Sequence, residues 1–129
     1  MLLKLDLQSE IPIYTQLRNQ IIEGIGRGDL KYGDALPSVR NLASDLGINL
    51  HTVNKAYTLL KQDGYIQVHR QKGVVVNPEG MPPIDEDFLN KIKDEFRPII
   101  AECLCRGMSK EEVSLIVKQI YTMIKEKGR

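Results

Sequence analysis

Apolar positions along the chain form five stripes at helical spacing and one alternating stretch. The first stripe is Ile13, Leu17, Ile21, Ile22 and Ile25, with Gln16, Arg18, Asn19 and Glu23 between them. That period predicts an amphipathic helix entered through Pro12 and ended by Gly26-Arg27-Gly28. The second stripe, Val39, Leu42, Ala43 and Leu46, follows Ser38, whose hydroxyl suits an N-cap, and stops at Gly47. Asn49 can cap a third helix whose apolar face is Val53, Ala56, Tyr57 and Leu60. Off that face lie Leu50, His51, Thr52, Asn54, Lys55 and Thr58, mostly groups that donate or accept hydrogen bonds. A helix, a Gly-containing turn and a second capped helix form a helix-turn-helix, whose second helix reads the major groove of DNA.

After Asp63-Gly64 the period changes. Tyr65 to Val68 alternates as a half-buried strand does, His69-Arg70-Gln71-Lys72-Gly73 is a polar, basic tip, and Val74-Val75-Val76 returns. A basic hairpin directly behind a recognition helix is a wing, able to reach phosphates or the minor groove. A short edge strand near Ala35-Leu36 is expected to pair with it. Leu3, Leu5 and Leu7 alternate with polar residues, so residues 2–12 are expected to be extended.

Three prolines and a glycine between Asn77 and Pro83 exclude helix and central strand. We therefore divide the chain into a winged helix-turn-helix domain (1–76), a linker (77–84) and a two-helix segment (85–129). In the latter, Asp85 can cap a helix bearing Phe88, Leu89, Ile92, Phe96, Ile99, Ile100, Cys103 and Leu104, which Pro98 should kink or split. Ser109 and Glu112 form a capping box for a last helix bearing Val113, Ile116, Val117, Ile120, Met123 and Ile124, with a basic tail from Lys125. Tyr121 lies beside that stripe. Two helices of this size cannot bury so much apolar surface alone. A homodimer is the economical solution, since a two-fold protein also matches a palindromic operator. The fold class is mainly α with a small β-wing, followed by a short two-helix C-terminal dimerisation segment.

Charge sharpens the picture only locally. The 129-residue chain carries a net charge of +1, but residues 38–77 hold five cations (Arg40, Lys55, Lys61, Arg70, Lys72) against Asp45 and Asp63. Positive charge is thus concentrated where DNA would lie. No apolar run approaches the roughly 18 residues of a membrane span. Asp6 and Glu10 interrupt what a signal peptide would keep apolar, which predicts a soluble, cytoplasmic protein with no membrane partner. Cys103 and Cys105 stand two apart on a helix and do not face each other, so buried thiols are expected rather than a bridge. No further ligands offer zinc a site. With no nucleophile–base pair, carboxylate cleft or Gly-rich phosphate loop, the chain reads as a non-enzyme without a cofactor.

The run Leu7 to Tyr14, then Gln16-Leu17, Gly28-Asp29-Leu30 and Gly33 to Arg40, resembles the GntR family of bacterial transcription regulators. So do Asn49, Thr52-Val53, Lys55-Ala56-Tyr57, Leu60, Gly64 and the wing. The likeness covers about the first 76 residues, and the short C-terminal part resembles the YtrA-type subfamily. The resemblance implies a winged helix-turn-helix homodimer bound to operator DNA, usually a repressor and often beside ABC transporter genes. It places Arg40 on phosphate or base, Asn49 to Lys55 in the major groove, and the wing His69 to Gly73 near the minor groove. Gln71 stands where the family usually has glycine, which should widen the tip. Leu50-His51 stands where the subfamily often has proline and asparagine, which should alter base preference.

By chemistry, Ser38, Arg40 and Thr52 suit backbone phosphates, and His51, Asn54 and Lys55 suit base edges. Arg70 and Lys72 suit salt-sensitive wing contacts. The rival reading is a winged helix used for protein–protein contact without DNA. The two-helix segment is short for a ligand pocket of roughly 300 Å³ or more. A small-molecule effector, if there is one, would sit at the dimer interface or between the domains.

Overall fold

The structure, a computed structural model, describes residues 3–126. Leu2 and the basic tail beyond residue 126 lie outside the described residues. The elements are α1 (Ile13–Arg27), α2 (Val39–Leu46), α3 (Leu50–Gln62), β1 (Ile66–His69), β2 (Gly73–Val76), α4 (Glu86–Cys105) and α5 (Lys110–Glu126). The chain divides into two compact units, the first ending at Pro82 and the second beginning at Pro83.

The first unit closes on one core. α3 packs against both α1 and α2, and β1 follows onto the same cluster. Leu17 and Ile21 from α1 meet Leu42 and Ala43 from α2, Val53, Ala56, Tyr57 and Leu60 from α3, and Ile66 and Val76 from the hairpin. Burial of such side chains stabilises by about 1.5–3 kcal/mol each, which is what holds three short helices that would not form alone. The Tyr57 hydroxyl donates to the Pro37 carbonyl at 2.8 Å, tying the middle of α3 to the start of α2. Burial pushes that phenol well above its ordinary pKa, so it stays a neutral donor.

The caps stand where their residue types put them. Ser38 Oγ accepts from the Asn41 N–H at 3.1 Å, and Asn49 Oδ1 accepts from the His51 N–H at 2.7 Å. Between these helices Gly47 adopts φ 66°, and Ile48 N–H closes back on the Ala43 carbonyl at 3.1 Å. A side chain at that left-handed position would strain the helix-turn-helix turn.

β1 and β2 pair antiparallel, with Ile66 opposite Val76 and His69 opposite Gly73. Ala35 bridges Val75, and Leu36 N–H donates to the Val74 carbonyl at 2.8 Å, giving the expected short edge strand. Strand alternation holds at Ile66, which is 2% exposed, but Val68 on the same side is 58% exposed because the hairpin runs out beyond the core. Gln71 stands at the middle of the hairpin turn. The turn is a three-residue loop, Arg70-Gln71-Lys72, closed by Gly73 at φ 72°, the left-handed residue such loops require.

The N-terminal stretch departs from a strand. Lys4 N–H and Asp6 N–H donate to the side-chain amides of Gln20 and Gln16, each at 2.8 Å, and those amides donate back to the Lys4 and Asp6 carbonyls. Two glutamines one helical turn apart thus replace a partner strand. Leu3 packs on the core, whereas Leu7 lies in a turn and is 71% exposed.

In the second unit, Asp85 Oδ1 caps α4 through the Phe88 N–H at 2.9 Å. Ser109 and Glu112 form the reciprocal capping box of α5, at 3.1 and 2.9 Å. Pro98 does not split α4, which runs unbroken through it. The orphaned carbonyl is that of Asp94, an exposed residue whose backbone water can satisfy. Neither helix buries a residue, and the two do not pack along their lengths. For that reason the cysteines are not the buried thiols expected: Cys103 is half-buried and Cys105 exposed.

Candidate nucleic-acid interface

α3 has two faces of opposite character. Val53, Ala56, Tyr57 and Leu60 are buried, while His51, Asn54, Lys55 and Thr58 are exposed. The exposed four recur three and four residues apart, so they share one side of the helix. Thr52, half-buried, borders the core face. Arg40 is exposed on the first turn of α2. Arg70 and Lys72 are exposed in the wing loop, beside Gly73. Among the described residues, the side chains of Arg40, Asn54, Arg70 and Lys72 make no hydrogen bond or ion pair. They are free for outside partners, and the three cations among them, Arg40, Arg70 and Lys72, suit an anionic one.

Three of the residues singled out from the sequence have structural work as well. Ser38 and Asn49 are caps, so their side-chain oxygens are occupied. The Ser38 hydroxyl proton and the Asn49 Nδ2 amide remain available to donate. His69 is half-buried, with Nε2 2.9 Å from Gln67 Oε1. Gln67 in turn donates to Asn77 Oδ1 at 3.2 Å, and Asn77 donates to the Gly64 carbonyl at 2.9 Å. This chain of side-chain amides holds the hairpin to the end of α3, and His69 terminates it.

Periodicity had assigned no role to Tyr14. The Lys55 ammonium lies 4.0 Å from the centre of the Tyr14 ring, a cation–π contact from α1 to the exposed face of α3. Such contacts contribute about 0.5–1 kcal/mol at exposed sites and fix the direction of an otherwise floppy side chain. In the sequence Tyr14 stands beside the α1 stripe and ends the run Leu7 to Tyr14 that carries the family resemblance. Gln67 and Asn77 were unmarked, because polar residues in a strand and a linker carry no period.

Among the described residues, no group of three or more His, Cys, Asp or Glu could hold a metal ion, and no helix is long and apolar enough to cross a membrane. What the fold presents is the winged helix-turn-helix of DNA-binding regulators. Residues 13–76 match the model of the bacterial regulatory proteins, gntR family. Over 124 residues the chain is 32% identical to the HTH-type transcriptional repressor YtrA of Bacillus subtilis (strain 168), covering 96% of this chain and 95% of the relative. In structure it is similar to a transcriptional antiterminator from Listeria monocytogenes EGD-e (TM-score 0.89, 25% identity, 97% of this chain and 93% of that one). It is also similar to YtrA from Sulfolobus acidocaldarius, a GntR-family transcription factor (TM-score 0.57, 41% identity, 96% of this chain and 100% of that one). The chain belongs to the gntR family of bacterial regulatory proteins. It is accordingly a DNA-binding transcriptional regulator and not an enzyme.

Proposed function

We propose that the protein is a cytoplasmic repressor that binds a palindromic operator as a homodimer, with ABC transporter genes among its targets. The observation that carries the operator reading is the two-faced α3: a wholly buried apolar side and an exposed side of hydrogen-bonding groups. In this reading His51, Asn54 and Lys55 read bases, Asn54 suiting adenine and Lys55 suiting guanine. Ser38, Arg40 and Thr52 set the register on phosphates, Asn49 opens the helix that enters the major groove, and His69, Arg70, Lys72 and Gly73 bring the wing to the neighbouring groove. Repression is supported by the likeness to the B. subtilis repressor.

The dimer is supported by the second unit. Phe88, Leu89, Phe96, Ile99, Ile100 and Leu104 of α4 are between 37% and 71% exposed, as are Ile116, Val117, Ile120 and Tyr121 of α5. Apolar patches of this extent on a soluble protein mark an interface, and a second copy supplies a matching face by two-fold symmetry. A small-molecule effector would sit at that dimer interface, beside Ile92, Phe96, Ile100 and Leu104 of α4.

The test is a fluorescence-anisotropy titration against the DNA upstream of the protein's own gene, at two salt concentrations. Wild type is expected to bind tightly, with affinity falling steeply as salt rises. Arg40→Ala/Lys55→Ala is expected to lose at least about tenfold and to flatten the salt slope by about one unit per phosphate contact removed. Binding unchanged by the double substitution would remove these residues from the interface. Salt-insensitive or absent binding, there and to bulk genomic fragments, would favour the protein–protein reading.

A further inference from the structure

α3 leaves one large apolar side chain exposed, and it stands at the first position of the recognition helix. Leu50 is 38% exposed and lies outside the core cluster. Helix geometry does not require it there. The capping hydrogen bond is made by Asn49, and the residue before the cap, Ile48, already packs against the core. The hydrophobic-staple positions of this helix are therefore Ile48 and Val53, not Leu50. Leu50 and Asn54 are four residues apart and share a stripe on the side of α3 that carries Thr58. An apolar side chain is thus set in line with the polar residues proposed to read bases.

We propose that Leu50 is a specificity-determining residue that recognises the C5-methyl group of a thymine in each operator half-site. The first residues of a recognition helix are those that reach base edges. Polar groups on the major-groove edges can be matched by His51, Asn54 and Lys55. The one apolar group displayed there is the thymine methyl, and it is the group a leucine tip can cover with gain. Leaving Leu50 against any other base edge would desolvate a donor or acceptor without a partner. The stripe it shares with Asn54 places this thymine on or beside an A·T pair that Asn54 reads. The inference rests on the operator-binding reading above and narrows it to one functional group on the DNA.

The experiment starts from a site selected by the full-length protein out of random duplexes, into which deoxyuridine is substituted for thymidine one position at a time. Deoxyuridine pairs as thymidine does and lacks only the methyl. For wild type, one position per half-site is expected to lose about fourfold in affinity, the worth of one buried methyl group, and the other positions to lose nothing. In Leu50→Ala that penalty should fall to unity while the duplex is still bound specifically. Should Leu50→Ala lose specific binding altogether, Leu50→Met, which keeps an apolar tip, is expected to retain both binding and the methyl penalty. An enriched site with no deoxyuridine effect, or a penalty that persists unchanged in Leu50→Ala, would overturn the inference alone. Failure to enrich any sequence would overturn the operator reading and this inference with it.

Discussion

The two units of the chain are built from similar amphipathic helices and end in opposite states. In the first, Leu17, Ile21, Val53, Ala56, Leu60 and Val76 are completely shielded from solvent. In the second, helices of 20 and 17 residues bury no side chain at all. Side-chain caps start α2 and α3 in the first unit and both helices of the second, so local helix signals do not explain the difference. The cause is arrangement. Three helices and a hairpin surround a common centre, whereas two helices that do not pack along their lengths leave their apolar residues exposed or at most half-buried. The first unit is complete as a fold, and the proposed dimer would supply the face that the second lacks within one chain.

Core truncations should break this contrast most sharply. Leu60→Ala in the first unit removes a fully buried side chain and is expected to cost about 2–5 kcal/mol, enough to lower its thermal midpoint by many degrees. Phe96→Ala, at a residue 51% exposed within the chain, should leave the first unit's transition unchanged and act through association instead. Equal destabilisation of the first unit by both would refute the division.

A smaller effect is expected at Tyr14. Tyr14→Leu removes the ring beneath Lys55 and should weaken DNA binding about two- to fivefold, the worth of a surface cation–π contact. Tyr14→Phe should restore it, and the effect should vanish when Lys55 is already alanine. An undiminished effect in the Lys55→Ala background would mean that Tyr14 acts by another route.

The smallest effect concerns the α5 capping box. Hydrogen bonds from the Ser109 N–H and hydroxyl hold the Glu112 carboxyl below its ordinary pKa. A depressed carboxylate pKa contributes stability above the unfolded value, and that stability is lost as pH falls through the folded one. Acidification into the carboxylate range should therefore fray α5 in wild type. Glu112→Gln should lack this pH dependence, as followed by helical circular dichroism.

The helices of both units were readable from the sequence because their determinants are local. Val39 to Leu46 and Val53 to Leu60 carry the helical period, and Ser38, Asn49, Asp85 and Ser109 mark the starts of their helices by chemistry any single stretch displays. The features that were missed join distant residues. Gln16 and Gln20 hold residues 4 and 6, Tyr14 holds Lys55, and Asn77 holds Gln67 and through it His69. None of these carries a period. Pro98 does not split α4 for a related reason: its cost to the helix depends on whether the carbonyl it orphans can reach water, which is a property of the surface. The cysteines misled because burial was inferred from an apolar stripe, and within a single chain that stripe has nothing to face.

The most direct test of the partner-dependent second unit is the solution mass of the full-length chain by sedimentation equilibrium, alongside Phe96→Asp and the fragment 1–82. Wild type is expected at twice the 14.7 kDa of one chain, Phe96→Asp as a monomer, and the fragment as a folded monomer. A monomeric wild-type chain at concentrations where it binds its operator, with the second unit still helical, would contradict the proposed dimer.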